Sequence, residues 1–474
     1  LSRDRFGKKP LYYYFDKGKF IFSSEIKGIL EHKLNLEINK GAVDLYLSLG
    51  FIPSPYSIYK NLFKVEARQS IFYNLVDRKM RKEYYYTLPK YAPSHDKKAL
   101  LKEGLELMRG SVKQRLISDV PLGVFLSGGL DSSAITYLMK DFINLENLNT
   151  FSIGFEGKFD ESKYAKIVSK TFGTKHHHKF FKKEDFDEIL RDIFYYYDEP
   201  FSDISMFPTY FLSGFAKEDV SVCLSGDGGD EIFGGYPRYI RASQIESLRK
   251  IPFIFRRILF VFSKILLLKK IKEGIRLSFL PPEEIFSEAR EEIYKPQIYK
   301  KLIKEKFSYC LKNSRGNLVE AFRLMDIYFY TLPDNYLNKV DRASMANSLE
   351  VRSPFLDYRL MEYSFKIPTK WKVSKGKTKI LMKEILKDKL PREIVERKKK
   401  GFTPPLADWL NEKRNKKETK KYLEELYSRK IIDLNWKKFY DGIIDKNDMV
   451  SMNYKIRFIM LYHWLKFWEK RINL

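Results

Sequence analysis

The sequence predicts an α/β protein: a domain built on a parallel sheet, a mostly helical C-terminal part, and a β-rich piece in front. Three observations carry that prediction. From about residue 100, short apolar runs ("PLGVFLS", "TFSIGF", "VSVCLS") alternate with helical patterns across gaps long enough for parallel crossovers. Two of those runs end in glycine turns rich in Ser and Asp. Before residue 90, the aromatic runs "PLYYYF", "KFIFSS", "SIFYNL" and "EYYYTL" are separated by turns, which is a strand pattern.

In chain order, residues 1–90 are expected to form the β-rich piece, and "YAPSHDKKAL" (91–100) has the Pro and polar content of a linker. Residues 101–474 then form the larger domain. Residues 240–474 are mostly helical in pattern, without a repeat or a low-complexity tract. The most apolar stretch, "IPFIFRRILFVFSKILLLKK" (251–270), is interrupted by Arg256, Arg257 and Lys264. It falls short of a membrane span and is expected to be an amphipathic or buried helix. The chain opens at Leu1 in the middle of a motif and shows no signal peptide, so its natural start is expected to lie upstream.

With 474 residues, 44% hydrophobic and 31% charged, the chain has the composition of a soluble globular protein with more than one domain and is not disordered. Its 88 Lys and Arg against 61 Asp and Glu give a formal charge of +27. Such a balance can serve nucleic acid or an anionic substrate. The lysines, however, are scattered along the whole chain, as on a solvated basic surface, and no cluster of cations with stacking aromatics stands out. Cys223 and Cys310 sit in no metal or redox motif and are expected to be buried thiols of a cytoplasmic protein.

The first glycine turn lies in "FLSGGLDSSAI" (125–135). Gly128 and Gly129 let a ligand press against backbone N–H groups. In "DSSAITYLMKD" (131–141), Ile135, Leu138 and Met139 fall at helical spacing, with Asp131, Ser132 and Ser133 as first-turn or cap residues. A helix opening there aims its free N–H groups at the loop, which suits phosphate. The motif is not a Walker loop: the one Gly-Lys-Thr of the chain is Gly376-Lys377-Thr378, and the position five before that glycine is Trp371. Without a lysine of its own, the loop must rely on backbone donors, hydroxyls, a metal held by Asp131, and cations from elsewhere in the chain.

The second turn, in "VSVCLSGDGGDEIFGGY" (220–236), repeats this layout: a strand, Ser225-Gly226, more glycines, and carboxylates at Asp227, Asp230 and Glu231. Turns of this kind belong at the carboxyl ends of parallel strands, where open α/β sheets bind ligands. The two can face one pocket, with phosphate donors from one loop and a divalent cation held by acidic residues of both. The triplet His176-His177-His178 cannot place all three rings on one ion, because neighbours on a strand point to opposite faces, so its expected role is structural.

These blocks resemble a known family. "LSGGLDSS" is similar to the pyrophosphate loop of N-type ATP pyrophosphatases, and "LSGDGGDEIFGGY" to the second signature of the glutamine-hydrolysing, B-type asparagine synthetases. "TFSIGFEGKFDESKYAK" (150–166), "LPDNYLNKVDRASMANSLEVRSPFLDYRL" (332–360) and the blocks within 376–410 follow in the same order. "RDRFGKKPLYYY" and "FSSEIKGIL" look like the closing half of the family's glutaminase domain.

The resemblance implies an adenine nucleotide alpha hydrolase-like synthetase domain over 101–474, behind the C-terminal half of an Ntn-type (class II) glutaminase domain over 1–90. It implies ATP as substrate and Mg2+ as cofactor, with aspartate and glutamine or ammonia as the other substrates. Aspartate attacks the α-phosphate of ATP to give β-aspartyl-AMP and pyrophosphate, and ammonia then displaces AMP.

Site residues are implied in the same way. Ser127, Gly128, Gly129, Asp131, Ser132 and Ser133 form the pyrophosphate loop, and Leu126, Ile153, Ser225 and Gly226 contact the nucleotide. Asp131 and Asp230 hold the metal. Asp227 is linked to acyl-adenylate formation, and Lys379 and Lys399 supply the missing positive charge. No nucleic-acid or membrane partner is expected, and a homodimer is compatible with the family.

Two departures stand out. The family's N-terminal cysteine nucleophile is not in the sequence, and "FKVEARQS" stands where a Pro-Pro-Gly-His turn is usual, so no glutaminase chemistry is expected of these residues. The motifs leave open a relative that amidates another carboxylate or closes a β-lactam. A tRNA-modifying pyrophosphatase would use the basic charge, but it leaves the second signature unexplained.

Overall fold

A computed structural model describes residues 1–156, 160–265, 269–397, 413–443, 445–446 and 448–471. Its centre is a five-stranded sheet, all parallel, in the order β10-β9-β6-β7-β8. The strands are β6 (Leu122–Phe125), β7 (Asn149–Gly154), β8 (Lys175–Phe180), β9 (Val222–Leu224) and β10 (Glu350–Arg352). The three expected apolar runs are β6, β7 and β9, and helices fill the gaps between them as parallel pairing requires. They are α4 (Leu130–Met139), α5 (Ser162–Phe172), α6 (Lys183–Tyr197) and α7 (Met206–Lys217). α3 (Lys97–Arg115) precedes β6, and α8 (Gly229–Phe233), α9 (Pro237–Arg249), α10 (Phe253–Ile265) and α11 (Lys269–Ser278) follow β9.

The front piece holds β1 (Tyr12–Asp16) between β2 (Lys19–Ser23) and β3 (Leu62–Lys64), and a separate hairpin of β4 (Gln69–Tyr73) and β5 (Met80–Tyr84). It also holds α1 (Ile26–Leu30) and α2 (Lys40–Leu49), which the strand pattern does not foretell. α2 starts at Asn39, whose side chain accepts from the Ala42 N–H, and it ends at Gly50 with φ +87°. One continuous set of buried side chains runs from Phe6 to Trp468, so residues 1–90 share a core with the rest.

The stretch expected as a linker is pinned down. Tyr91, Ala92 and Ser94 donate backbone bonds to the carbonyls of Asn313, Phe365 and Lys366, and α3 already starts at Lys97. The stretch 251–270 also differs from the expectation of one amphipathic or buried helix. It divides between α10 and α11, and α10 turns much of its apolar surface to solvent. The histidines of β8 are held structurally: Ser152 Oγ lies 3.1 Å from a ring nitrogen of His176 and 3.0 Å from one of His178, while His177 faces away to Asn149. Both cysteines are buried.

Candidate active site

β6 and β9 are adjacent and in parallel register, Leu122 with Val222 and Val124 with Leu224, so the loops that follow them leave the sheet side by side at its carboxyl edge. In the first loop Gly128 has φ +67°, and a Cβ there would collide with the backbone of Tyr164 and Ala165 in α5. Glycine is required both for the turn and for this approach. The Ser127 hydroxyl receives the Gly129 N–H at 3.3 Å and lies 3.2 Å from that of Ser132. α4 begins after Gly129 with no side chain capping its first N–H groups, leaving them for a ligand.

In the second loop Ser225 donates to Asp227 Oδ2 at 2.6 Å and lies 3.1 Å from the Ser353 hydroxyl beside β10. Asp131 nests against Gly226 and Gly229, where any Cβ would strike it. The two glycine clusters are thus one surface, and the acidic group of the first loop lies on the backbone of the second.

Lys379 completes this surface from far along the chain. It precedes the helix Ile380–Leu386 with a left-handed backbone, φ +53°, and its ammonium meets both Asp131 and Asp230, the latter at 2.7 Å. Burial works against its charge, but the two carboxylates outweigh burial and hold its pKa above the ordinary lysine value. Gly235 makes room, since a side chain there would overlap the Asp230 carboxylate and the Lys379 stem.

These groups line a cleft of about 490 Å³. Of the residues expected from sequence, Leu126, Ser127, Gly129, Asp131, Ser132, Ile153, Ser225, Gly226, Asp227, Asp230 and Lys379 all face it. Gly128 instead presents its carbonyl to Arg397 at 3.0 Å, and Ser133 is buried beneath the loop. Lys399 lies outside the described residues.

The cleft has further polar groups that are not among the expected site residues. Lys339 donates to Ser205 Oγ at 2.7 Å and pairs with Asp203 at 3.2 Å. Burial opposes both charges, yet the pairing leaves the Lys339 pKa raised and that of Asp203 lowered. Lys383 also lines the cleft; burial, then Lys379 and Lys377, push its ammonium down. Arg397 stacks on Tyr164 at 4.0 Å and pairs with Glu161. Asp203 and Ser205 stand in "DEPFSDISMFP", a stretch without a glycine turn, whereas Lys339 lies in the block 332–360 at a position to which the motif reading assigns no role. Only folding brings them to the site.

Asp131 and Asp230 converge on one point, now held by an ammonium. Two hard oxygen donors at one point suit Mg2+, which takes one or two carboxylates and completes its shell with water and phosphate oxygens. Among the described residues no group of three or more His, Cys, Asp or Glu could hold a metal.

Comparison with known proteins gives the same direction. The asparagine synthase family model matches residues 103–466, and the glutamine amidotransferase domain model matches residues 1–86. A putative glutamine-hydrolyzing asparagine synthetase 2 of Methanocaldococcus jannaschii is 52% identical over 357 residues, 73% of this chain and 69% of the relative. The glutamine-hydrolyzing asparagine synthetase 1 of Bacillus subtilis is 30% identical over 492 aligned positions, 99% of this chain and 76% of the relative.

Proposed function

The chain belongs to the asparagine synthase family, and from that premise we propose that it is an AMP-forming ligase that converts L-aspartate to L-asparagine at the expense of ATP. The observation that carries the reading is Lys379 joining Asp131 and Asp230, one from each glycine loop, within a single cleft. An uncapped helix end, two carboxylates and a buried cation beside it suit a pyrophosphate leaving group.

The residues divide the work as follows. Leu126 and Ile153 line the cleft on the β6–β7 side and suit the nucleoside. The loop Ser127–Ser132 offers hydroxyl and N–H donors to the phosphates. Mg2+, when held by Asp131 and Asp230, would offset the phosphate charge. Lys379 and Lys383 add positive charge, and Lys399 keeps the second-cation role on the register of its motif. Lys339 and Asp203 form a paired cation and anion, which suits the α-carboxylate and α-ammonium of an amino acid. Asp227 lines the same cleft. The aspartate side-chain oxygen then forms a bond to the α-phosphorus as pyrophosphate departs, and ammonia displaces AMP from the acyl carbon. The division of labour between residues 1–90 and 101–474, with glutamine as the nitrogen source of the family, belongs to the same reading.

The test is product analysis with Mg-ATP, ammonia and a set of carboxylates. Asparagine, AMP and pyrophosphate in equal amounts are expected from aspartate. ADP with phosphate overturns the adenylation, and turnover of a different carboxylate alone overturns the acceptor.

A further inference from the structure

The least explained surface of the molecule is α10. Its residues Arg256, Phe260 and Ser263 fall on one stripe and face inward: Arg256 donates to the Ser278 carbonyl at 2.6 Å, Phe260 packs edge-on to Phe279, and Ser263 is buried. The opposite face is apolar. Ile254, Phe255, Ile258, Leu259, Val261 and Phe262 are each between 42% and 68% exposed. A helix that turns Arg256 and Ser263 inward while six large apolar side chains face water departs from ordinary amphipathicity, and an exposed apolar patch of this kind marks an interaction surface.

The charge around the patch indicates what covers it. Residues 247–272 contain basic residues throughout and not one Asp or Glu. Arg257 is exposed on α10 itself, and Arg249, Lys250 and Lys272 are exposed on the segments that precede and follow it in the chain. A second copy would bring the same basic rim, on a chain of formal charge +27, against its own likeness. An anionic surface that can also take up apolar side chains answers both features. α10 has thirteen residues, and among the described residues no helix is long and apolar enough to cross a membrane.

We propose that α10 is a peripheral docking element for an anionic phospholipid bilayer, lying in the plane of the interface with its outward apolar face among the acyl chains and the basic residues at the headgroups. α10 lines no part of the cleft, so docking leaves the site free to work.

The test uses the whole chain and vesicles of phosphatidylglycerol with phosphatidylcholine, or of phosphatidylcholine alone. At about 0.15 M salt the chain should sediment with the first and not the second. The combined variant Ile254→Ser, Phe255→Ser, Phe262→Ser should lose about tenfold or more in partitioning, with unchanged circular dichroism and unchanged asparagine formation. Phe255→Trp should shift its emission to the blue on adding the anionic vesicles. Equal binding by the triple variant would reduce the effect to general basic charge and overturn the proposal, as would an unshifted tryptophan. No vesicle binding, with a dimer in sedimentation that the same three substitutions split, would assign the face to a second copy instead.

Discussion

Lys379 shows how much rests on one side chain. Its ammonium pairs with both the Asp131 and the Asp230 carboxylate, and it is almost fully buried. A buried cation aimed at developing negative charge is worth about 3–4 kcal/mol, or two to three orders of magnitude in rate. Lys379→Met is therefore expected to lower kcat about a hundredfold or more in the coupled pyrophosphate assay, and turnover close to the parent would remove Lys379 from the chemistry. The same variant tests the metal. Without the ammonium the two carboxylates lose a cation they share, and a divalent cation can take that place. Millimolar Mg2+ should raise the Tm of Lys379→Met by about 2–4 °C and that of the parent by less; equal shifts would place the cation elsewhere. The lysine was legible in the sequence through its motif, as were the two glycine loops, because such turns are written in adjacent residues. Asp203 was not, because it lies in none of the blocks that carry the resemblance, and Lys339, although inside the block 332–360, gains a role only when it pairs with Asp203 in the folded chain.

At the scale of elements, the turn carrying Asp230 is held from behind. Arg323 donates to the carbonyls of Glu231 at 2.7 Å and Ile232 at 3.2 Å, at the end of α8, and to the Ser364 hydroxyl at 2.7 Å. It also pairs with Glu320, which takes a second cation, Lys372, at 2.7 Å; all three are fully buried. One carboxylate facing two cations leaves one positive charge uncompensated. Burial, then Arg323, push the Lys372 ammonium down to about 7, with Glu320 acting the other way. Removing Lys372 by Met still leaves a neutral Arg323–Glu320 pair, so its cost at pH 7 should stay within about 1 kcal/mol in urea unfolding. Arg323→Met strips the carbonyls and leaves the turn unsupported, and should cost about 3–5 kcal/mol. The pH dependence has a definite sign. Between pH 7 and the ordinary lysine value of 10.5, the unfolded chain binds a proton at Lys372 that the folded chain does not, so this group makes stability rise with pH across that window. The parent should gain on Lys372→Met from pH 7 to pH 10, and a constant difference would mean that Lys372 stays charged. No sequence pattern announced this support, since a buried lysine looks like a surface one. For the same reason α10 was expected to be buried or amphipathic in the ordinary sense: an apolar run states that a helix avoids water without stating what covers it. β10, three residues long, is likewise too short to show a period.

On the scale of the whole molecule, the separation of the front piece from the sheet domain is visible in composition but not in packing. Buried charges tie the two together. Arg3 meets Asp334 at 3.4 Å with both side chains nearly inaccessible, and Asp334 also accepts from the Ser54 N–H at 2.6 Å and the Ser54 hydroxyl at 2.9 Å. Lys64 pairs with Glu199 at 2.6 Å, and the buried Arg342 reaches Glu25 of the front piece at 2.9 Å. Buried pairs contribute little net stability when intact, but breaking one leaves a charge in a place where water cannot compensate it, at about 3–5 kcal/mol. Together with the continuous core, this predicts that residues 1–90 and 101–474 unfold as a unit. Calorimetry of the chain should show one transition, and Asp334→Ala, which strands Arg3 and two donors of Ser54, should move that transition down without splitting it. The alternative has a clear signature. If the front piece folds independently and merely rests on the sheet domain, the same substitution will lower an early, smaller transition and leave the later one, which carries the cleft and its protection by Mg-ATP, where it was.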